Sequence, residues 1–309
     1  MKSIKEFLKH NEVLEGLLPK EKDLEINFIK DHIITSNSGR VTVNNDEIII
    51  NAVGYVEKYF EECINIVFKE LGENALKSLF EKLVIKKYSD VLLENCELTF
   101  DLLCKLRLID NIGYIYIYNC NSLKKIPWLD NCLGITIKDC HSLKSVSDMN
   151  NGGYVRIENC SSLKTIENFK NNGYVWIKNC NSLEEVTDMA NSEDVEIDDC
   201  SSLEEVTDIT NGRNVTIEDC SSLKTILRLK NKRNVTIKDC SSLEEVDDIT
   251  IGGDVEVSGC DSLKTILRLK NKGNVNIEDC SSLESVPGVY ARKLNVKNCP
   301  NYKKNKKNN

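Results

Sequence analysis

Cysteine recurs nine times at a spacing of twenty residues, at Cys120, Cys140, Cys160, Cys180, Cys200, Cys220, Cys240, Cys260 and Cys280. Cys299 follows one residue early, and Cys96 precedes the run by twenty-four. A fixed period sustained over such a length is the signature of a solenoid, in which each repeat packs only on its neighbours. The prior of two domains for 309 residues therefore does not apply, because repeat arrays lengthen without thickening. Hydrophobic content of 40% with only 6% aromatic residues fits a thin aliphatic core.

The residues around each ladder cysteine define one coil. Apolar residues stand five and three before it, as Val235 and Ile237 do before Cys240. Leu243, Val246 and Ile249 follow at three, six and nine. Asn comes at eleven, as in Asn131, Asn151, Asn171, Asn191, Asn211, Asn231 and Asn271, and Gly often comes next. The V-x-I segment has period two and reads as a short strand with one buried face. The Asn/Gly segment reads as the turn that brings the chain back. A coil is then strand, turn at Cys, extended return, and second turn, and stacked coils make a parallel sheet on one side.

This pattern resembles the leucine-rich repeat, L-x-x-L-x-L-x-x-N/C-x-L. Asn234-Val235-Thr236-Ile237-Lys238-Asp239-Cys240-Ser241-Ser242-Leu243 fits its second half. The twenty-residue length is similar to the short repeats of bacterial effector proteins of this family, and the resemblance covers roughly residues 90–299. Val and Ile replace strand Leu here, Cys replaces the usual Asn, and return prolines remain only at Pro127 and Pro287. The resemblance implies a recognition scaffold with a concave sheet. The expected fold class is an α/β repeat solenoid: a parallel-stranded leucine-rich-repeat-like array over 91–299, an α+β N-terminal capping region over 1–90, and a disordered Lys/Asn tail over 300–309.

Within residues 1–90, Ile4–Leu18 reads as an amphipathic helix ended by Pro19, and Leu24–Ile50 as short strands or hairpins. Val53, Val56, Phe60, Cys63, Ile64, Val67 and Leu71 read as a second helix stopped by Gly72, and Leu76, Leu79, Phe80 and Leu83 as a third. Such a cap would cover the open first coil. In the array, Leu223–Asn231 recurs identically at Leu263–Asn271, which points to duplication of two-coil units.

The net charge of −8 argues against a general nucleic-acid binder, which needs clustered Lys and Arg. Residues 181–220 hold thirteen Asp and Glu against one Arg213. No apolar run has signal-peptide or membrane-spanning length, so the expectation is a cytoplasmic protein with reduced thiols. Delivery into a host cell stays open. The thiols themselves read as small buried groups donating weakly to carbonyls. With three His and none spaced for a shared site, no metal or other cofactor is expected.

The outward positions of the strands lie six, four and two before Cys. Early coils place Tyr114, Tyr116 and Tyr118, then Tyr154 with Arg156, then Tyr174 with Trp176 there. Later coils carry polar residues instead, beginning with Asp194, Glu196 and Asp198. Clustered exposed aromatics with Arg are the composition of interface hot spots. Strand propensity alone would also favour Tyr and Trp, yet it does not explain the stop after Trp176. Acids stacked in register destabilise a sheet, which suggests a basic partner surface. Catalytic motifs such as G-x-S-x-G or H-E-x-x-H are absent. The expected function is a non-catalytic inhibitor or effector, bacterial or phage, that binds a protein by occlusion. It needs no membrane and no small-molecule substrate. An acidic nucleic-acid mimic, single-strand nucleic-acid engagement and a structural repeat protein without one partner are the alternatives.

Overall fold

Each coil turns at residues that accept the left-handed conformation. In the computed structural model, the residue before every ladder cysteine has φ near +50°: Asn119, Asp139, Asn159, Asn179, Asp199, Asp219, Asp239 and Asp279, with Gly259 at +65°. Asn, Asp and Gly are the residues for which that region is cheapest. A second corner stands eight after the cysteine, at Asp148, Asn168, Asp188, Asp208, Arg228, Asp248, Arg268 and Gly288. Two corners per twenty residues wind the chain into a parallel β-solenoid of about ten turns.

The structure describes residues 25–29, 32–36, 40–44, 47–51, 64–69 and most of 73–303. Two units are distinct: residues 1–143 with 151–153, and residues 144–150 with 154–309. In the first unit, Glu25–Ile29 and His32–Ser36 form an antiparallel hairpin, as do Arg40–Asn44 and Glu47–Asn51. Ile64–Lys69 lies parallel between Glu25–Ile29 and Ser89–Glu94. Ile112–Tyr118 and Gly134–Lys138 continue in the same direction. The described helices are Glu73–Phe80 and Phe100–Leu106, the latter capped by the Thr99 hydroxyl accepting from the Leu102 N–H.

Helix is therefore a minor component, and two expectations need correction. The class is a β-solenoid, not α/β, and the α+β cap is not supported. The helix expected through Leu71 is a strand at Ile64–Lys69. Its β-branched run, Ile64, Ile66 and Val67, fits a strand paired on both edges, and a short apolar run matches either period. The helix expected at Leu76–Leu83 ends at Phe80, with Leu83 in a strand. The hairpins expected within Leu24–Ile50 are present. The helix expected over Ile4–Leu18, the Val53–Cys63 part of the second helix, and residues 304–309 lie outside the described residues.

In the second unit the V-x-I strands run from Tyr154–Glu158 to Lys293–Lys297, each parallel to the next and twenty residues on, nineteen at the last step. The returns form a second parallel sheet, including Thr165–Asn171, Glu185–Asn191, Glu245–Ile251 and Thr265–Asn271. Between the sheets lie six apolar residues per coil, for example Val235, Ile237, Cys240, Leu243, Val246 and Ile249, none more than 1% exposed. Burial on this scale contributes roughly 1.5–3 kcal/mol for each large aliphatic side chain. Every ladder thiol from Cys120 to Cys280 is buried and outside any disulfide. Each donates to the carbonyl two residues before it, as Cys200 Sγ does to Asp198 at 3.5 Å and Cys280 Sγ to Glu278 at 3.3 Å.

The recurring Asn is buried as well. Asn191 Nδ2 donates to Asn211 Oδ1, and Asn211 Nδ2 to Asn231 Oδ1, both at 3.2 Å. Each also closes its own turn, Asn211 Nδ2 donating to the Asn214 carbonyl at 2.9 Å. Ile251 interrupts this ladder, and Asn271 Oδ1 is left buried without a donor among the described residues.

Candidate functional site

The residues singled out on the strand faces fall into both units. In the first, Ile112–Tyr118 presents Tyr114, Tyr116 and Tyr118 on one face. Tyr116 was expected at a binding surface, but it is 7% exposed and packs on Leu92, its register neighbour, with Tyr114 and Tyr118 against the pair. The Tyr116 and Tyr118 rings meet edge-on at 6.1 Å. The Tyr114 N–H donates to Asp90 Oδ1 at 2.8 Å. Burial raises the Asp90 pKa to about 6, while that N–H acts the other way and more weakly.

In the second unit the strands bring Arg156, Trp176 and Glu196 into one row by register. The Arg156 guanidinium lies 4.0 Å from the Trp176 ring centroid. Its Nε donates to Glu158 Oε1 at 2.8 Å, which fixes the planar group over the indole. In the row beside it, the Tyr174 hydroxyl donates to Glu196 Oε2 at 2.6 Å. Burial and the Glu196 carboxylate push the Tyr174 phenol well above its ordinary range, so it remains a donor. On the other flank, Lys178 Nζ reaches Asp198 Oδ2 at 2.5 Å. Tyr154, Arg156, Tyr174, Trp176, Glu196 and Asp198 are all half-buried. The Trp176 indole N–H is buried and has no acceptor among the described residues.

No protein-family model matches the chain, and no curated protein matches it.

The acids are far less available than their number suggests. Asp194 Oδ1 accepts the Asn214 N–H of the next coil at 2.8 Å, as Asn234 Oδ1 accepts from Asp254 and Asp254 Oδ1 from Asn274. Asp194 is thus part of a repeating turn. Glu184 holds Lys164, Glu204 holds Lys224, Glu193 holds Arg213 and Asp208 holds Arg228, at 2.7–2.8 Å. The sequence Lys164, Glu184, Glu204, Lys224 gives each of two stacked acids its own cation, and Lys178, Asp198, Glu218, Lys238 repeats the scheme on the first sheet.

Sequence reasoning overlooked Glu158 and Lys178, which hold Arg156 and Asp198 in place. Both stand two before a cysteine, on the same outward face as the residues chosen, so the register already contained them. It also overlooked the left-handed corners, although Asn, Asp or Gly precedes every ladder cysteine. Among the described residues no cluster of His, Cys, Asp or Glu could hold a metal ion, and no helix is long and apolar enough to cross a membrane.

Proposed function

We propose that the chain is a non-catalytic recognition scaffold, a leucine-rich-repeat-like array that binds a protein partner on the outward face of its V-x-I sheet. The observation that carries this reading is the Arg156–Trp176–Tyr174–Glu196 cluster. In the later coils the same face carries polar side chains and no aromatic ring, such as Thr216, Thr236, Glu256 and Asn276. Here two large rings and a guanidinium are held rigid by Glu158 and Glu196 and stay partly open to solvent. Pre-ordered aromatic and Arg side chains lose little entropy on binding, which is what hot spots require. Support for a basic partner surface is weaker than the charge count suggests, because many of the acids already hold cations. The same pairing weakens the reading as a nucleic-acid mimic. Occlusion of the partner, as by an inhibitor or effector, is the mode consistent with such a surface.

The test uses native chain, Trp176→Ala and Arg156→Ala as matched baits against extract of the source cells. Loss of the cation–π contact costs about 0.5–1 kcal/mol at a partly exposed site, so both variants should stay folded. A protein retained by the native chain and lost by both variants supports the site. Capture that survives both changes but fails on Glu196→Gln with Asp198→Asn would replace it with the acidic reading.

A further inference from the structure

We propose that the C-terminal edge of the first sheet, strand Lys293–Lys297, is a second binding surface that accepts an acidic extended peptide as an added parallel strand. It is independent of the aromatic cluster.

The backbone supplies the first argument. In preceding coils backbone N–H groups donate to the following coil: the inward-facing Val155 to the Tyr174 carbonyl at 2.8 Å and Val235 to Asp254 at 2.9 Å, and the corner residue Asp279 to Lys297 at 3.2 Å. The equivalent residues of the last coil are Leu294, Val296 and Asn298. Lys293–Lys297 pairs only with Asn274–Glu278 and ends the strand order, so these groups face no further strand among the described residues. An edge of this kind is a template for another extended segment.

Packing supplies the second. Val275, Ile277 and Cys280 are fully buried, whereas Leu294, Val296 and Cys299 at the same positions are only half-buried. An added strand with apolar residues at alternate positions would cover them as each earlier coil covers its predecessor.

Charge supplies the third and selects the occupant. Residues 285–303 contain Arg292, Lys293, Lys297 and Lys303 and no Asp or Glu, in a chain whose net charge is −8. Lys293 and Lys297 stand on the outward face; Lys297 also holds Glu278 of the preceding strand at 2.7 Å, so Lys293 is the main cation opposite the positions where acids of an added strand would fall, and opposite charges across a strand pair stabilise it. A second copy joined antiparallel through this strand would set Lys293 against Lys297, which disfavours it. Residues 304–309 are three Lys and three Asn, with like charge and no apolar side chain to lay over Leu294 and Val296.

The probe is a fluorescein-labelled peptide Glu-Asp-Val-Glu-Ile-Asp-Asp, whose alternation matches the edge, titrated against the full chain by anisotropy. The expected result is saturable binding, at least about tenfold tighter than for a scrambled peptide. Val296→Pro removes one outward N–H without touching the bonds to Asn274–Glu278, and should abolish binding. Lys293→Glu with Lys297→Glu should weaken it by about tenfold. Trp176→Ala should leave it unchanged, so this surface and the aromatic site fail separately. No binding up to about 1 mM peptide, equal binding of the scrambled peptide, or indifference to Val296→Pro would overturn the proposal. So would an oligonucleotide that displaces the peptide and binds more tightly, which would make the surface a nucleic-acid contact. A dimer in sedimentation that Val296→Pro dissolves would make the occupant a second copy.

Discussion

At the scale of single residues, the array depends on polar groups placed inside it as much as on its apolar ones. Asn211 is 2% exposed and its side chain makes three hydrogen bonds, two donated and one accepted from Asn191. Truncation to Ala would leave buried partners unsatisfied on both sides, and such groups cost about 1–3 kcal/mol each. Asn271 differs, because Ile251 stands where its donor should be and only its bond to the Asn274 carbonyl is present. Asn211→Ala should therefore destabilise clearly more than Asn271→Ala, by about 1–2 kcal/mol in urea unfolding. Equal losses would show that the inter-coil bonds contribute nothing. The buried fate of these Asn residues was not legible in the sequence, where Asn next to Gly reads simply as an exposed turn. The left-handed Arg228 and Arg268 are similar cases. A bulky residue at such a φ is costly, and here each guanidinium makes a two-pronged contact, Arg228 to Asp208 and Arg268 to Asp247.

Among the elements, the strands of the first sheet were readable because Val and Ile alternate with polar residues over five positions, as in Asn234–Lys238. The second sheet was not. Its inward residues, such as Leu243, Val246 and Ile249, recur every three, which is no strand period. The left-handed corner at Asp248 accounts for the offset by shifting the facing of the chain between Val246 and Ile249. The exposure of Tyr116 was misjudged for a related reason: alternation gives the face of a side chain, whereas neighbouring rings decide how much of it stays wet. The contact of Ser89–Glu94 with Ile112–Tyr118 carries a pH signature through Asp90. Its ordinary value of 3.8 becomes about 6 on burial. Between those values the folded chain holds a proton that the unfolded chain has released. The Asp90 contribution is thus present below pH 3.8 and is lost as pH rises through about 6. Asn keeps the acceptor for the Tyr114 N–H, as Asn214 and Asn234 do for the following coils. Asp90→Asn should exceed the native chain in melting temperature at pH 7, with the difference closing near pH 4. A constant difference across that range would refute the assignment.

For the whole molecule, stability should behave as a sum over coils and their interfaces. Leu223–Asn231 and Leu263–Asn271 are identical, so removing residues 241–280 returns the last coil to a neighbour nearly like the one it lost. The main new conflict is Lys297 meeting Lys238 in place of Glu278, a like-charge pair worth a few tenths of a kcal/mol. The shortened chain should fold, keep its strand signal per residue by circular dichroism, and unfold with a smaller denaturant dependence. Collapse into an aggregate would show that the array is not modular. By itself the sequence determined the period, the inward set of Val, Ile, Cys and Leu, and the reduced state expected of the thiols. These follow from local alternation and from a repeat that only stacking can bury. Tertiary structure alone decided which outward residues are available. Asp194 closes a turn, Glu196 and Asp198 hold Tyr174 and Lys178, and Tyr116 lies under its neighbours, because contacts between residues twenty apart depend on register and side-chain reach, which no single coil encodes.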